Sequence, residues 1–236
     1  MSFQILYNPS KDELRKQTTE KLQELLKYPE VLLLLSGGSA LELLDSIDPS
    51  VLTQDNTITV LDERFSQDPS INNFAQIMTT DFYRAAVNNG CSFLDTRPHE
   101  ENMEQVARRF EHDLRNWKTA HPSGLMIATQ GIGPDGHTSG IMPYPEDATQ
   151  FAQLFKDENR WITAYNAGNK NQYPLRITTT IFFLKMIDHS ILYATGENKK
   201  DVLKKAIDTD TKLHEFPSRV IQDMKDVLLY TDQDLL

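Results

Sequence analysis

A five-residue aliphatic run, Val31–Leu35, constrains the fold of this chain more than any other stretch. It is bounded by Pro29 on one side and by Ser36-Gly37-Gly38-Ser39 on the other. A short strand that is apolar at every position must be buried on both faces, which is typical of a parallel sheet covered by helices. The run therefore indicates an α/β protein.

The rest of the chain repeats this alternation of strands and helices. From Asn102 the apolar positions step by three or four as far as Trp117, which predicts an amphipathic helix that ends at His121-Pro122. The residues 144–156 fit no single pattern. No change of composition marks a linker, so we predict one α/β domain over residues 1–236, doubly wound, with a mostly parallel sheet flanked by helices. Other short apolar runs predict strands at residues 3–7, 57–61, 125–128, 161–165, 191–194 and 227–230.

Charge and cysteine content exclude several classes of protein. The net charge of −10 argues against a nucleic-acid-binding protein, whose contacts need a basic face. Apolar runs are too short to cross a membrane, and the first residues lack a signal-peptide pattern. Cys91 is the only cysteine and the six histidines are scattered, so we expect no disulfide and no metal site. We expect a cytoplasmic protein whose oligomeric state stays open between monomer and weak dimer.

A glycine-rich segment at residues 131–138 follows the predicted strand 125–128 directly. Three of the ten glycines lie here, at Gly131, Gly133 and Gly136, and they allow tight turns or close approach of a ligand. The side chains of Asp135 and His137 belong to the same segment, and imidazole is suited to proton transfer near neutral pH. The alternative is a strand-to-helix loop that needs glycine only for its turn, with a solvated histidine.

Two more strand ends carry polar groups. Ser36-Gly37-Gly38-Ser39 stands between a buried strand and a helix, where free backbone N–H groups can hold a phosphate, or where Ser39 can simply cap the helix. Asp62-Glu63-Arg64 ends the strand at 57–61, and these charges are either paired in a solvated loop or functional. Lys199 lies in the first turn of a helix, where the dipole disfavours a cation unless an anion is bound nearby. Arg176, after Pro174, is a further candidate cation.

Taken together and in this order, these motifs resemble the 6-phosphogluconolactonase family, within the superfamily that includes glucosamine-6-phosphate deaminase. The Gly-x-Gly-x-Asp-Gly-His-Thr element is the most specific of them. The matching motifs are Ser36-Gly37-Gly38-Ser39, Asp62-Glu63-Arg64 with Asn73, residues 131–138, Arg176-Ile177-Thr178, and Thr195-Gly196-Glu197 with Lys199.

The resemblance implies a Rossmann-like fold and hydrolysis of the lactone of 6-phosphogluconate in the pentose phosphate pathway, without a metal or organic cofactor. It assigns His137 to activation of the attacking water, and Asp135 to orienting the loop or the imidazole. A phosphorylated sugar lactone is the expected partner. The residues expected to bind the substrate or its phosphate are Ser36, Gly37, Gly38, Ser39, Asp62, Glu63, Arg64, Asn73, Arg176 and Lys199.

Two alternatives to a lactonase are left open, and departures from the family pattern bear on both. A deaminase or isomerase acting on an amino-sugar phosphate would use Asp62 or Glu63 as its base. Deaminases have a glutamate five residues after the histidine, but here that position is Met142, which carries no proton. A sugar-phosphate-binding module without catalysis is the second alternative, because the segment 65–73 is shorter than in lactonases and lacks their proline position.

Overall fold

A computed structural model of the chain describes residues 2–235, and the side chain of Ser39 lies outside what it describes. Ten strands alternate with seven α-helices. The strands are β1 Ser2–Tyr7, β2 Val31–Leu35, β3 Asn56–Val60, β4 Asp62–Arg64, β5 Ser92–Phe93, β6 Leu125–Gln130, β7 Ile162–Asn166, β8 Leu175–Thr179, β9 His189–Ala194 and β10 Asp226–Thr231. The α-helices are α1 Lys11–Leu26, α2 Asn73–Met78, α3 Asp81–Asn88, α4 Met103–Ala120, α5 Ala148–Phe155, α6 Ile181–Met186 and α7 Lys200–Ile207. Short 3₁₀ helices cover Gly38–Ser46, Pro49–Val51, Gly168–Lys170, Glu197–Lys199 and Pro217–Asp223.

Seven strands form one parallel sheet in the order β1-β10-β9-β6-β2-β3-β5. From β2 the chain adds β3 and β5 on one side, then returns to place β6, β9 and β10 on the other. The order in which the chain adds strands therefore reverses between β2 and β6. Open α/β sheets bind ligands at such a point, at the carboxyl ends of the strands.

The main sheet separates two hydrophobic layers, as the aliphatic run predicts. Leu32 and Leu34 pack with α4, α5 and α7, whereas Val31, Leu33 and Leu35 pack with α1, α2 and α3. Each of these five side chains is fully buried, which stabilises the fold by roughly 1.5–3 kcal/mol per residue. The mixed α/β class, with a mostly parallel sheet flanked by helices, is confirmed.

Several elements differ from their predicted form. The helix after the Gly37-Gly38 pair is a 3₁₀ helix, and the helix predicted near residues 74–83 is two helices, because Thr80 caps α3 at its start. Residues 144–156 contain α5, and the loop predicted at 88–99 contains the short strand β5. The helix predicted from Asn102 is confirmed, with Asn102 and Gln105 forming a capping box.

A second, antiparallel sheet of three strands, β4-β8-β7, was not predicted from the sequence. Its strand β4 continues directly from the end of β3 through Leu61. The register pairs Asp62 with Thr178 and Arg64 with Arg176. Because side chains alternate along a strand, Asp62 and Arg64 point to one face and Glu63 to the other.

Candidate active site

A polar cleft of about 180 Å³ lies at the carboxyl ends of β2, β3 and β6, beside the point where the order of strand addition reverses. Three chain segments and the second sheet meet there. The predicted site residues that line it are Ser36, Gly37, Gly38, Asp62, Arg64, Asn73, His137 and Arg176. The structure therefore brings together most of the motifs that the sequence separates by more than a hundred positions.

The glycine-rich loop carries a histidine–aspartate pair, and its histidine lines the cleft. The Nδ1 atom of His137 is hydrogen-bonded to Oδ1 of Asp135, and the backbone N–H of His137 donates to the same oxygen at 3.2 Å. Burial alone would raise the pKa of Asp135, but the hydrogen bond and charge of His137 outweigh it and leave that pKa below its ordinary value. Asp135 is thus an ionised acceptor that fixes the ring, and Nε2 of His137 is left to act on a ligand.

At two positions of this loop, neighbouring side chains leave no room for a Cβ atom, so glycine is required there. A Cβ atom on Gly133 would lie 2.1 Å from two ring atoms of His137, so the imidazole rests directly on the Gly133 backbone. Gly136 has a φ of +84°, and a Cβ there would lie 2.3 Å from the ring of Phe216. The glycine spacing therefore positions the histidine and closes the loop against the 3₁₀ helix at Pro217–Asp223.

Two arginines face each other across strands β4 and β8. Arg176 donates to Oδ2 of Asp62 in an ion pair whose side chains are only 6% and 7% exposed. The guanidinium of Arg64 lies over the ring of Tyr173, 5.0 Å from its centroid, and pairs with no carboxylate among the described residues. One positive charge in the cleft wall is therefore left without a partner, which suits an anionic ligand.

Glu63 does not line the cleft, in contrast to its predicted role in substrate binding. Its side chain is fully buried on the opposite face of β4. The carboxylate accepts hydrogen bonds from the backbone N–H groups of Asn73 at 2.6 Å and Phe74 at 3.0 Å, and from Oγ1 of Thr96 at 2.8 Å. Burial raises the pKa of Glu63 to about 7, although these hydrogen bonds lower it. Glu63 thus holds the start of α2 in place.

Four polar groups around the cleft are buried and have no hydrogen-bond partner among the described residues. They are Oγ of Ser36, Oδ1 of Asn73, Nε of Arg64 and Nε of Arg176. Each of these four residues lines the cleft, and Asn73 is anchored by its other side-chain atom, Nδ2, which donates to the carbonyl of Asp62 at 2.9 Å. Leaving a buried polar group unpaired costs about 1–3 kcal/mol, so these four atoms are available to water or to a polar ligand in the cleft.

The Gly37-Gly38 pair brings the backbone close to this wall. A Cβ on Gly37 would lie 2.7 Å from Oδ1 of Asn73, and Gly38 has a φ of +71° with open space around it. The predicted contact of Ser39 rests on its side chain, which lies outside the described part of the structure. This 3₁₀ helix begins at Gly38 without a side-chain cap, next to the part of the cleft that Gly37 and Gly38 line.

Lys199 lies beside the cleft rather than in its wall. Its Nζ donates to the carbonyl of Ile132, a residue of the glycine-rich loop that does line the cleft. Burial lowers the pKa of Lys199, and the charge of Asp135 raises it by less. The lysine lies close to the loop that carries His137.

A tight turn after the histidine was not recognised from the sequence. Thr138 and Ile141 form an isolated bridge, and the N–H of Ile141 donates to the carbonyl of Thr138 at 2.8 Å. The two central residues, Ser139 and Gly140, have φ values of 51° and 72°, which define a type I′ turn. Ser139 adopts this left-handed conformation without being glycine, at a cost of about 1–2 kcal/mol. Both central residues line the cleft.

A larger open groove lies elsewhere, between α4 and β7, and shares no residue with the cleft. Two of its three arginines have carboxylate partners, since Arg115 pairs with Glu111 and Arg160 pairs with Asp157. Within residues 2–235, no group of three or more His, Cys, Asp or Glu side chains could hold a metal ion. Over the same residues, none of the helices is both long enough and apolar enough to cross a bilayer.

The fold and the site together define a class: doubly wound α/β proteins with a polar, cation-lined cleft at the sheet's switch point. Within that class, the model of the family "Glucosamine-6-phosphate isomerases/6-phosphogluconolactonase" matches residues 9–230, and the chain belongs to this family.

Relatives and solved structures agree with this membership. The 6-phosphogluconolactonase of Nostoc sp. is 27% identical over 136 residues, which are 56% of this chain and 52% of the relative, and that of Rattus norvegicus is 30% identical over 111 residues, covering 47% and 39%. These matches span about half the length of the curated relatives or less. A 6-phosphogluconolactonase from Shewanella baltica superposes with a TM-score of 0.76 at 22% identity, covering 98% of this chain and 97% of that one. The one from Thermotoga maritima gives 0.72 at 19% identity, covering 98% of each chain.

Proposed function

We propose that this protein is a 6-phosphogluconolactonase that hydrolyses 6-phospho-D-glucono-1,5-lactone to 6-phosphogluconate in the oxidative pentose phosphate pathway. The observation that carries the proposal is one cleft that combines two kinds of group. A histidine fixed by an aspartate lines the cleft, and so do cationic and polar groups without partners among the described residues. Family membership supports a substrate of the sugar-phosphate class.

His137 acts on water and then on the leaving group. Asp135 holds the ring through Nδ1, so Nε2 takes a proton from a water molecule, and the hydroxide attacks C1 of the lactone. The tetrahedral intermediate then breaks the bond between C1 and the ring oxygen, and His137 returns its proton to that oxygen. The products are a carboxylic acid, which ionises, and a free hydroxyl group on the sugar chain.

The phosphate is held away from the reacting carbon. Arg64 supplies an unpaired guanidinium, and Arg176, Lys199 and the Gly37-Gly38 segment supply further donors. Anchoring a non-reacting group in this way fixes C1 near His137 and lowers the entropic cost of attack. Ser36, Ser39 and Asn73 complete the proposed set of binding residues.

The structure disfavours the deaminase or isomerase alternative. That reaction needs a carboxylate base, but Asp62 is committed to its ion pair with Arg176, and Glu63 is buried away from the cleft. Met142, at the position of the deaminase glutamate, is fully buried and apolar. A binding module without catalysis is disfavoured by the ordered pairing of Asp135 with His137.

Turnover measured on two substrates tests the proposal. We expect hydrolysis of 6-phosphogluconolactone and no release of ammonia from glucosamine 6-phosphate. His137→Ala should lower kcat by about 10²–10⁴-fold while 6-phosphogluconate still binds, and the exposed His112→Ala should behave as the wild type. Binding of 6-phosphogluconate by the wild type without turnover of either substrate would overturn the proposal in favour of the binding module.

Two expectations, on domain organisation and on cellular location, belong to the same proposal. We take residues 1–236 as a single catalytic domain, supported by the family match over residues 9–230. A cytoplasmic location fits the single cysteine, Cys91, which is a buried free thiol.

A further inference from the structure

The turn at residues 138–141 is held by two buried hydroxyl groups from the second sheet. Oγ1 of Thr178, on β8, donates to the carbonyl of Ser139. The hydroxyl of Tyr165, on β7, donates to the carbonyl of Gly140 at 2.5 Å and accepts from the N–H of Met142 at 3.3 Å. Neither side chain lines the cleft, so Thr178 and Tyr165 can affect the cleft only by positioning the turn that does line it.

The orientation of one peptide unit follows from these contacts. A trans peptide is planar, so the carbonyl of Ser139 and the N–H of Gly140 point in opposite directions. Thr178 holds the carbonyl end, and the N–H end therefore points away from β8. Among the described residues, the Gly140 N–H makes no hydrogen bond. Gly140 is buried and lines the cleft, and buried backbone N–H groups without a partner are rare in folded proteins.

We propose that Thr178 is a positioning residue that fixes the Gly140 N–H as a hydrogen-bond donor to the carbonyl oxygen of the lactone, where negative charge develops during attack. This inference rests on the proposed hydrolysis. Gly140 lies three residues after His137 on the same loop, whereas the phosphate has Arg64, Arg176 and Lys199 as cationic partners. The left-handed backbone at Ser139 supports the assignment, because a strained residue persists only where the surrounding contacts require it.

The chain offers a matched control beside Thr178. Thr179 is also fully buried on β8, but it points to the opposite face and its Oγ1 has no hydrogen-bond partner in the described structure. We expect Thr178→Val to lower kcat for 6-phosphogluconolactone by about 10–100-fold with KM changed less than about 3-fold, since an oxyanion donor acts in the transition state. Thr178→Ser, which keeps the hydroxyl, should restore kcat, and Thr179→Val should match the wild type.

A second pair of variants keeps the inference testable if Thr178→Val does not fold. Tyr165→Phe should reproduce the loss of kcat, because it frees the carbonyl of Gly140. Tyr144→Phe is its control, since Tyr144 is buried against Phe155 and its hydroxyl makes none of the hydrogen bonds that hold the turn. Melting temperatures of all variants separate loss of folding from loss of turnover.

The outcomes separate this inference from the proposed function. Turnover of the lactone by the wild type tests the function alone. If the wild type is active and Thr178→Val equals Thr179→Val, or if the loss appears only in KM, Gly140 does not stabilise the oxyanion. A failure of Thr178→Ser to restore kcat would overturn the role of the hydroxyl.

Discussion

Gly133 and His137 are a single functional unit at the scale of the residue. The imidazole rests on a backbone that carries no side chain, and Asp135 is hydrogen-bonded to Nδ1 of the ring. The sequence predicts this histidine and its aspartate only when the glycine-rich segment is taken together with the other motifs, in the order that resembles the family. It does not predict which glycine supports the ring, since that depends on the path of the loop.

The effect of Gly133→Ala follows from that contact. Its methyl group would lie 2.1 Å from Nδ1 and Cε1 of His137, so the ring must move. A displacement of about 1 Å can lower the rate about 10²-fold, and we expect a loss of kcat of that size with little change in melting temperature. Gly131→Ala is the matched comparison, because its methyl group would meet no atom within 4 Å. Steady-state kinetics that found equal kcat values in the two variants would contradict the contact.

Arg64 and Arg176 both line the cleft, but only Arg176 has a carboxylate partner among the described residues. Substituting them should therefore have different effects on folding stability. Arg64→Gln removes a guanidinium that pairs with no carboxylate in the described chain, so KM should rise about 10–100-fold while the melting temperature stays near that of the wild type. Arg176→Gln also leaves Asp62 buried and unpaired, which costs about 3–5 kcal/mol of folding stability.

Thermal unfolding and kinetics measured on both variants check this difference. Arg84→Gln, at an exposed ion pair with Asp81, is the control and should change neither quantity by much. Equal loss of stability in the Arg64 and Arg176 variants would show that Arg64 has a structural partner after all.

The three-residue strand β4 is the element that organises the cleft. It places Asp62 and Arg64 on the cleft face and Glu63 on the other, where it holds α2 and with it Asn73. Charges at the end of β3 were expected from the sequence, but a three-residue strand has no periodicity to detect and its partner β8 lies more than a hundred residues away. The local sequence pattern therefore identifies the Asp62-Glu63-Arg64 motif. It does not reveal that side chains alternate along β4, which places Glu63 on the face away from the cleft.

Glu63 gives this element a characteristic dependence on pH. Its folded pKa is about 7, raised above the ordinary value by burial, so the folded chain keeps this proton at pH values where the unfolded chain has lost it. The contribution of Glu63 to the free energy of unfolding is fully present at pH values below the pKa that Glu63 has in the unfolded chain. This contribution is lost as the pH rises through the folded pKa of about 7. Between about pH 5 and pH 8, the unfolding free energy of the wild type should fall relative to Glu63→Gln by an amount on the order of 3 kcal/mol.

Urea unfolding at several pH values measures this difference. The exposed Glu104→Gln removes one carboxylate without the burial, so its curve should run parallel to that of the wild type. Parallel curves for the wild type and Glu63→Gln would mean that Glu63 ionises normally in the folded chain.

The whole molecule presents an anionic surface and a locally cationic cleft. The order of the strands in the main sheet could not be predicted from the sequence, although several strands, such as Val31–Leu35, were located correctly. Which strands become neighbours is decided by long-range packing, and here it brings β2, β3, β6 and β9 side by side. The segments that follow these strands carry Gly37, Asp62, His137 and Lys199, so one edge of the sheet brings these residues together.

A ligand that bridges these segments should stabilise the entire fold, because it binds the folded chain and not the unfolded one. At a concentration of 6-phosphogluconate about 100-fold above its Kd, the stabilisation is about 2.7 kcal/mol, which should raise the melting temperature by about 5–10 °C for a chain of this size. Gluconate, which lacks the phosphate, should give a much smaller shift at the same concentration, and Arg64→Gln should lose most of the shift. Equal shifts with gluconate and 6-phosphogluconate would place the binding energy on the sugar and would contradict a phosphate clamp formed by Arg64, Arg176 and Lys199.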